Sequence, residues 1–258
     1  MTRALCPGLI PNPIPTGVGT GIWDELEDAT GILAYISNYG ITLDGADEQI
    51  LYWEPVIGNP TTDTLEPAPY IVVDGPWLHA TDSDFGGYPS AYTIGVGGPP
   101  SAGDMAPAVP TSSTLFTQAN DTILIVQAAD PGAGGSVYLC SAASNLASSV
   151  QVLHSDFYLS SGVGSYWPEN PPIVPMLLWI HWDNGSSSAK YHASDGTEAS
   201  ISGQTWGTLE GRGLWLFGTS GSAQVSVMRF MGACRCYNLS DDDWDRLIAW
   251  AQANMGWS

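Results

Sequence analysis

Six aromatic residues lie in segments rich in glycine, proline and other turn residues, where side chains are often accessible to ligands. Exposed aromatic rings stack against sugar rings, and Asp, Asn and Gly in neighbouring loops can hydrogen-bond sugar hydroxyls. This pattern predicts a carbohydrate-binding site formed by Trp77, Tyr88, Tyr92, Tyr166, Trp167 and Trp206. The alternative is that these rings cover the sheet or pack against a neighbouring subunit, because Trp and Tyr are also enriched at interfaces.

Acidic residues in the same kind of segment carry oxygen ligands that would suit calcium. The candidates are Asp44, Asp47, Asp82, Asp84 and Asp130. They do not form the regularly spaced twelve-residue loop of an EF-hand. We therefore predict no cofactor and no metal, with calcium as the alternative.

Catalytic motifs are absent from the sequence. The four histidines, at positions 79, 154, 181 and 192, show no metal-ligand spacing and adjoin no nucleophile motif. His181, between Ile180 and Trp182, is expected on a strand, pointing away from its apolar face. The glycine-rich segment 95–100 ends in two prolines, so it cannot begin the phosphate-binding helix of a dinucleotide fold. These observations predict that the chain is not an enzyme.

The four cysteines show no Cys-x-x-Cys spacing. Cys234 and Cys236 are two residues apart, which on a strand places both on one face. Free, partly buried thiols are the favoured interpretation, with a disulfide or a zinc site as alternatives.

The charge balance excludes two classes of partner. Six basic and 26 acidic residues give the 258-residue chain a formal net charge of −20. So few cations cannot neutralise a phosphate backbone, and the same charge is repelled by an anionic membrane. The sequence has no run of about 18 apolar residues, as a membrane-spanning helix requires. We predict neither nucleic-acid binding nor membrane insertion.

The first 21 residues differ in composition from the rest. They are rich in Pro and Gly, show no hydrophobic periodicity, and lack the basic start and apolar core of a signal peptide. We expect residues 1–21 to be an arm that docks on a partner chain, with candidate docking residues Cys6, Pro7, Pro11, Pro13 and Pro15. Residues 22–258 are expected to form one domain.

Short apolar or alternating runs separated by turn residues dominate that domain. Strands are predicted over 122–128, 150–159, 176–182, 190–193, 198–201, 212–218 and 224–237, with a long loop over 86–113. Strands recur without helices between them, which indicates an all-β, antiparallel sandwich or jelly roll.

One helix is predicted, at the end of the chain. Ser240 is a suitable N-cap, and three aspartates follow in the first turn, where the helix dipole favours negative charge. Leu239 and Trp244 have the spacing of a hydrophobic staple, and Gly256 provides a C-terminal stop.

The order of these last elements carries a family resemblance. Tyr237-Asn238 and Leu239-Ser240, the acidic turn and the closing helix resemble the end of concanavalin A-like (laminin-G-like) jelly-roll domains, "YnraLSdaE" and a helix finishing near "kyg". Two residues of that segment are missing here, and Asp243 stands near the usual Glu. Further similar segments, over about residues 22–256, are Trp23-Asp24, Thr42-Leu43-Asp44-Gly45, Tyr52-Trp53 and Asp195-Gly196.

The resemblance implies a concanavalin A-like fold, whose members include hydrolases, sugar or protein binders, and decorations of virus particles. Retaining glucanases of this fold carry Glu-x-Asp-x-x-Glu or Glu-x-Asp-x-Glu on one strand, which places the carboxylates about 5 Å apart. No such string occurs, and the acidic segment 24–28 is better explained as a solvated edge.

The resemblance, the arm and the missing carboxylates together predict a non-enzymatic virion surface protein. It would be a phage head decoration, head fibre or tail-associated module, made in the host cytoplasm and displayed on the virion. Its predicted partners are other virion structural proteins, host surface glycans and further copies of itself in a homo-oligomer. The alternatives are a free or secreted lectin-like module and a glycan hydrolase with unrecognised acids.

Overall fold

The structure is a computed structural model of the chain. It describes residues 21–44, 49–67, 76–92, 105–107, 119–128, 136–141, 149–153, 156–160, 165–166, 174–183, 187–204, 215–216 and 228–258. Residues 1–20 of the predicted docking arm therefore lie outside the described residues. They include the candidate docking residues Cys6, Pro7, Pro11, Pro13 and Pro15.

Nearly all regular structure in these ranges is β-strand. The strands are β1 (Thr30–Ile36), β2 (Ile41–Leu43), β3 (Ile50–Trp53), β4 (Leu65–Pro67), β5 (Trp77–His79), β6 (Ser90–Tyr92), β7 (Met105–Pro107), β8 (Asn120–Ala128), β9 (Ser136–Ser141), β10 (Ser149–Leu153), β11 (Asp156–Ser160), β12 (Ser165–Tyr166), β13 (Met176–Trp182), β14 (Ser187–Ala193), β15 (Glu198–Gln204), β16 (Trp215–Leu216) and β17 (Met228–Tyr237). The α-helix is α1 (Asp241–Met255), and 3-10 turns form at Gly21–Glu25 and Ser83–Phe85.

The strands form two antiparallel sheets. The first has the order β15-β14-β13-β8-β17-β6-β5, with β1 also paired to β17, and the second runs β12-β11-β10-β9-β16-β7-β4-β3-β2. One hydrophobic cluster contains Leu124, Leu178 and Phe230 of the first sheet together with Trp53 and Leu65 of the second. The predicted all-β antiparallel sandwich with one C-terminal helix is confirmed.

A second cluster lies on the other face of the first sheet, which we call the outer face. Here Ile123 and Leu177 pack with Trp244 and Leu247 of α1. Because the first sheet is covered on both faces, its central strands carry apolar residues on both faces over most of their length. This explains why the predicted strand 176–182 agrees with β13 at both ends.

Helix α1 begins and ends where the sequence predicts. The Ser240 side chain accepts from the Asp243 amide, and the Asp243 side chain accepts from the Ser240 amide, which completes a capping box. Gly256 closes the helix with φ of 73°, in the left-handed region. Leu239 and Trp244 are both buried. No helix in the described part of the chain is long and apolar enough to cross a membrane.

The observed strand bounds differ from the predicted ones where a strand begins or ends because of its pairing with another strand. The alternating run 150–159 forms two strands, β10 and β11, that pair with each other, because alternation alone does not reveal a hairpin. The predicted loop 86–113 contains β6 and β7, which pair with β17 and with β4 and β16. The predicted strands 212–218 and 224–237 correspond to β16 and to β17, which begins at Met228.

Strand β17 changes partner along its length. Arg229 and Phe230 pair with β6, whereas the stretch from Gly232 onwards pairs with β1. Gly232 allows this close approach, because a Cβ there would lie 2.9 Å from the Tyr35 carbonyl oxygen. The same strand carries Cys234 and Cys236, which are free as predicted and are fully rather than partly buried. Burial, with Cys236 and Asp121 nearby, raises the pKa of the Cys234 thiol, so it remains protonated.

Candidate functional site

Four polar or aromatic side chains form one row across the outer face of the first sheet. Trp77 of β5 is opposite Tyr92 of β6, Tyr92 is opposite Arg229 of β17, and Arg229 is opposite Gln127 of β8. Their chain neighbours Leu78, Ala91, Val126 and Phe230 all belong to the core between the sheets. Side chains alternate along a strand, so the four members of the row share the outer face. Three strand spacings of about 4.8 Å make the row about 14 Å long.

The edge of this row is aromatic. The rings of Trp77 and Tyr92 have centroids 5.9 Å apart and are tilted by 32°, and His79 meets Tyr92 edge-on with centroids 6.2 Å apart. Trp77 and Tyr92 are half-buried, and His79 is exposed. We call these three residues the aromatic strip. Half-buried rings that pack on each other are already ordered, so binding a ligand costs them little side-chain entropy.

Beside the strip, Arg229 is held by two carboxylates. Its Nη1 atom donates to Asp82 Oδ1 at 3.1 Å and to Asp84 Oδ2 at 2.9 Å. Asp82 Oδ2 also accepts from the Ser90 hydroxyl at 2.6 Å. Asp82 is buried and Arg229 is 37% exposed. The buried carboxylate therefore holds the guanidinium on its protein side, while part of the guanidinium faces solvent. One cation and two anions give this group a net charge of −1.

A short turn positions the two carboxylates. Asp82 caps the 3-10 turn Ser83–Phe85 by accepting from the Asp84 amide, and Gly86 ends it with φ of 64°. A Cβ on Gly86 would lie 2.5 Å from the Met255 Cα atom, so only glycine allows this contact with the end of α1. Tyr88 then packs on Trp250 of α1 at 5.6 Å. The turn that carries Asp82 and Asp84 is therefore held against helix α1 at two places, Gly86 and Tyr88.

The structure brings together two of the six predicted aromatic residues, Trp77 and Tyr92. Tyr88 lies against α1, outside the strip, and Tyr166 belongs to β12 of the second sheet. Trp167 and Trp206 lie outside the described residues. Sequence reasoning missed His79 and Arg229. Because Leu78 and Phe230 face the core, alternation along the strand could have placed His79 and Arg229 on the opposite face. Only the pairing of β6 with β17 brings Arg229 to Tyr92.

The predicted calcium ligands have other roles where they are described. Asp82 and Asp84 accept hydrogen bonds from Arg229. The Oδ1 atom of Asp44 accepts from the Gln49 amide at 3.4 Å. Asp47 and Asp130 lie outside the described residues. Across the described residues, no group of three or more His, Cys, Asp or Glu side chains is arranged to hold a metal ion.

Comparison with known proteins finds similarity in fold at low sequence identity. No family model and no curated protein matches the chain. Among solved structures, the chain is similar to Trypanosoma rangeli sialidase in complex with sialic acid, with a TM-score of 0.54 and 13% identity over 88% of this chain and 33% of that one. A GH54 α-L-arabinofuranosidase soaked with a cyclic sulfate inhibitor gives 0.53 and 10% over 79% and 51%. The binding domain of botulinum neurotoxin serotype D gives 0.50 and 7% over 86% and 51%.

These likenesses concern the fold. The chain spans about a third of the sialidase and about half of the other two chains. Its sandwich is therefore a fold shared with parts of carbohydrate-active proteins and of a toxin binding domain.

One prediction is corrected by this finding. The sequence predicts a protein that is not an enzyme, because the histidines, the glycine-rich segment and the missing glucanase carboxylate string show no catalytic motif. That prediction is wrong, since two of the similar structures are glycoside hydrolases, a sialidase and an arabinofuranosidase. The string marks only one group of hydrolases, so its absence does not exclude an enzyme.

Proposed function

We propose that the chain is a glycan-binding domain with a lectin-like sandwich related to the concanavalin A-like type. The observation that supports it best is the aromatic strip beside Arg229, Asp82 and Asp84. An apolar ring face next to a few fixed donors and acceptors is the usual composition of a sugar site. The order of β17, Leu239-Ser240 and α1, which resembles the end of concanavalin A-like domains, supports the finer fold assignment.

The charge of the site favours neutral glycans. Arg229 is balanced by two carboxylates, and the whole chain carries a net charge of −20. A sialylated or uronic glycan would be repelled by this field, whereas a neutral sugar would not. The exposed part of Arg229 and the Asp84 carboxylate offer a donor and an acceptor to hydroxyl groups.

The test is a binding screen of the full chain against neutral and anionic oligosaccharides, followed by titration of the ligands that bind. Trp77→Ala is expected to weaken binding about 10- to 100-fold, because a central aromatic anchor contributes about 2 kcal/mol. Tyr52→Ala is the matched control, since Tyr52 is 41% exposed but lies on β3 of the second sheet. It should bind like the unmodified protein.

Equal weakening in both variants, or none in either, would place the site elsewhere. A screen without any saturable binding would refute the proposal as a whole. Because the fold also occurs in glycoside hydrolases, release of reducing ends is measured on every glycan that binds.

We further propose that residues 1–21 dock the domain on a virus particle, as a homo-oligomer that faces host glycans. The composition of the arm supports this proposal. Removing residues 1–21 should abolish co-sedimentation with purified particles while the far-ultraviolet spectrum of the domain is unchanged. A truncated protein that still co-sediments would contradict the docking role.

A further inference from the structure

A second row of residues crosses the outer face near the start of α1. Asp121 of β8 is opposite His181 of β13, and His181 is opposite Ser188 of β14. Ile180 and Ala189, the neighbours of His181 and Ser188 along their strands, belong to the core between the sheets. His181 and Ser188 therefore share the outer face. They line a shallow cavity of about 200 Å³ together with Trp179, Lys190 and Asp241.

Asp121 fixes the imidazole of His181. The carboxylate is almost fully buried, and its Oδ1 atom accepts from the Trp179 indole at 2.8 Å and lies 2.9 Å from His181 Nδ1. Its Oδ2 atom accepts from the Leu239 amide at 3.1 Å. An ionised carboxylate only accepts hydrogen bonds, so Nδ1 carries the proton. In the neutral ring, Nε2 is then the basic nitrogen.

The hydrogen bond to Asp121 also affects the pH range in which Nε2 of His181 carries no proton. It raises the pKa of His181, partial burial opposes the rise, and the charges of Asp121 and Asp183 add to it. The imidazole side chain is 41% exposed, so it can exchange protons with a ligand or with water in the cavity.

Ser188 lies directly opposite His181 in the pairing of β14 with β13. Directly opposed residues of an antiparallel pair have Cβ atoms about 4.5–5.5 Å apart, so rotation about the Cα–Cβ bonds can bring the Ser188 hydroxyl towards the imidazole when a substrate binds. Two residues further along the same face is Lys190, whose ammonium lies 4.2 Å from the Trp179 ring centroid and 2.7 Å from Asp241 Oδ1. The cavity thus combines a hydroxyl, a base with its orienting carboxylate, and a cation.

We propose that this cavity hydrolyses small carboxylic esters, with Ser188 as nucleophile, His181 as general base and Asp121 as the positioning residue. The serine, histidine and carboxylate roles are recognised by mutual geometry and recur on unrelated folds. The volume of the cavity admits a short acyl group, with the Trp179 ring as its apolar wall. The proposal does not depend on the aromatic strip.

The reaction balances with water as the co-substrate. Ser188 Oγ attacks the ester carbonyl carbon, and its proton moves to His181 Nε2 while the carbonyl oxygen becomes an oxyanion near Lys190. The oxyanion collapses, the bond from the carbonyl carbon to the alcohol oxygen breaks, and the alcohol leaves with the proton from His181. Water then attacks the acyl-serine and gives a proton to His181. Ser188 leaves with that proton, and the carboxylic acid is released.

The experiment uses the full chain, a fluorophosphonate probe and p-nitrophenyl acetate. Peptide mass spectrometry is expected to find the phosphonyl group on Ser188. Ser188→Ala should remove the label, and both Ser188→Ala and His181→Gln should lower kcat/KM for the ester at least about 100-fold. The rate should rise with pH through a pKa above 6.5, since His181 acts as the neutral base.

The matched control is Ser194→Ala, which removes a hydroxyl from the turn after β14, outside the cavity. It should retain label and rate. Thermal unfolding of every variant shows whether the fold is retained, and Ser188→Val, which also lacks a nucleophile and suits a strand, replaces Ser188→Ala if the latter is unfolded. Absence of label on Ser188, a label that survives in His181→Gln, or an unchanged ester rate in folded Ser188→Ala would each overturn the proposal.

Discussion

Asp243→Ala is expected to lower the free energy of unfolding by about 3 kcal/mol, a large share of the 5–15 kcal/mol of a typical domain. The carboxylate is fully buried and is shared by two segments. Its Oδ1 atom accepts from the Glu27 amide at 2.8 Å and the Asp28 amide at 3.2 Å, and it contacts the Arg246 guanidinium. Oδ2 accepts from the Ser240 amide at 3.3 Å. The substitution therefore removes the helix cap and the attachment of segment 27–28 together.

The same carboxylate predicts a pH dependence. Burial opposes its ionisation, but the amides of Asp28 and Ser240, the guanidinium of Arg246 and the amide of Glu27 outweigh burial and lower the pKa of Asp243. A lowered pKa stabilises the fold at pH values above the unfolded pKa, about 3.9, and this contribution is lost as pH falls through the folded value. The difference in stability between the unmodified protein and Asp243→Ala should shrink in acid.

Asp242→Ala is the control for this prediction. Asp242 occupies the same helical turn but is exposed, so its loss affects only the interaction with the helix dipole, about 0.5 kcal/mol. Chemical denaturation of the three proteins measures the difference. Equal destabilisation by the two substitutions would show that the buried network contributes no more than the dipole.

Asp121→Ala is expected to lower the free energy of unfolding by a similar amount, about 3 kcal/mol. The buried amide of Leu239 would lose the oxygen that accepts its hydrogen bond, and an orphaned buried amide is costly. The Trp179 indole and His181 would lose the same partner. Asp241→Ala is the control, because it breaks the ion pair of an 86% exposed carboxylate with Lys190 and should cost less than about 1 kcal/mol.

Asp121→Ala should also change the titration of His181. In the unmodified protein the hydrogen bond to Asp121 raises the pKa against partial burial. A raised pKa contributes stability that is fully present below about pH 6.5 and is lost as pH rises through the folded value. Proton NMR of the imidazole should find a lower pKa in Asp121→Ala. An unchanged pKa would show that Asp121 does not control the protonation of His181.

Both candidate sites lie on the outer face of the first sheet, where α1 also packs. The turn that carries Asp82 and Asp84 contacts the end of the helix through Gly86 and Tyr88, and the His181 cavity is bordered by Asp241 at the start of the helix. Trp244 of α1 packs on Trp179 of that cavity at 5.7 Å. Loss of the helix cap at Asp243 is therefore expected to affect the cavity as well as stability.

Local patterns were sufficient for the elements whose residues all follow one rule. The cap at Ser240, the glycine stop at Gly256 and the apolar run of β13 depend on neighbours within a few positions, so the sequence alone determined this helix, this strand and the all-β class. The faces of Cys234 and His181 follow from the two-residue period of a strand in the same way.

Only the tertiary structure decided which strands are neighbours, and the candidate sites depend on that. Arg229 reaches Tyr92, 137 positions earlier in the sequence, because β17 pairs with β6 along its first residues, and Asp121, His181 and Ser188 meet because β13 lies between β8 and β14. Alternation shows which face a side chain occupies but contains no information on the partner strand or its register. Register arises from packing both faces of the first sheet at once, which is a property of the whole core.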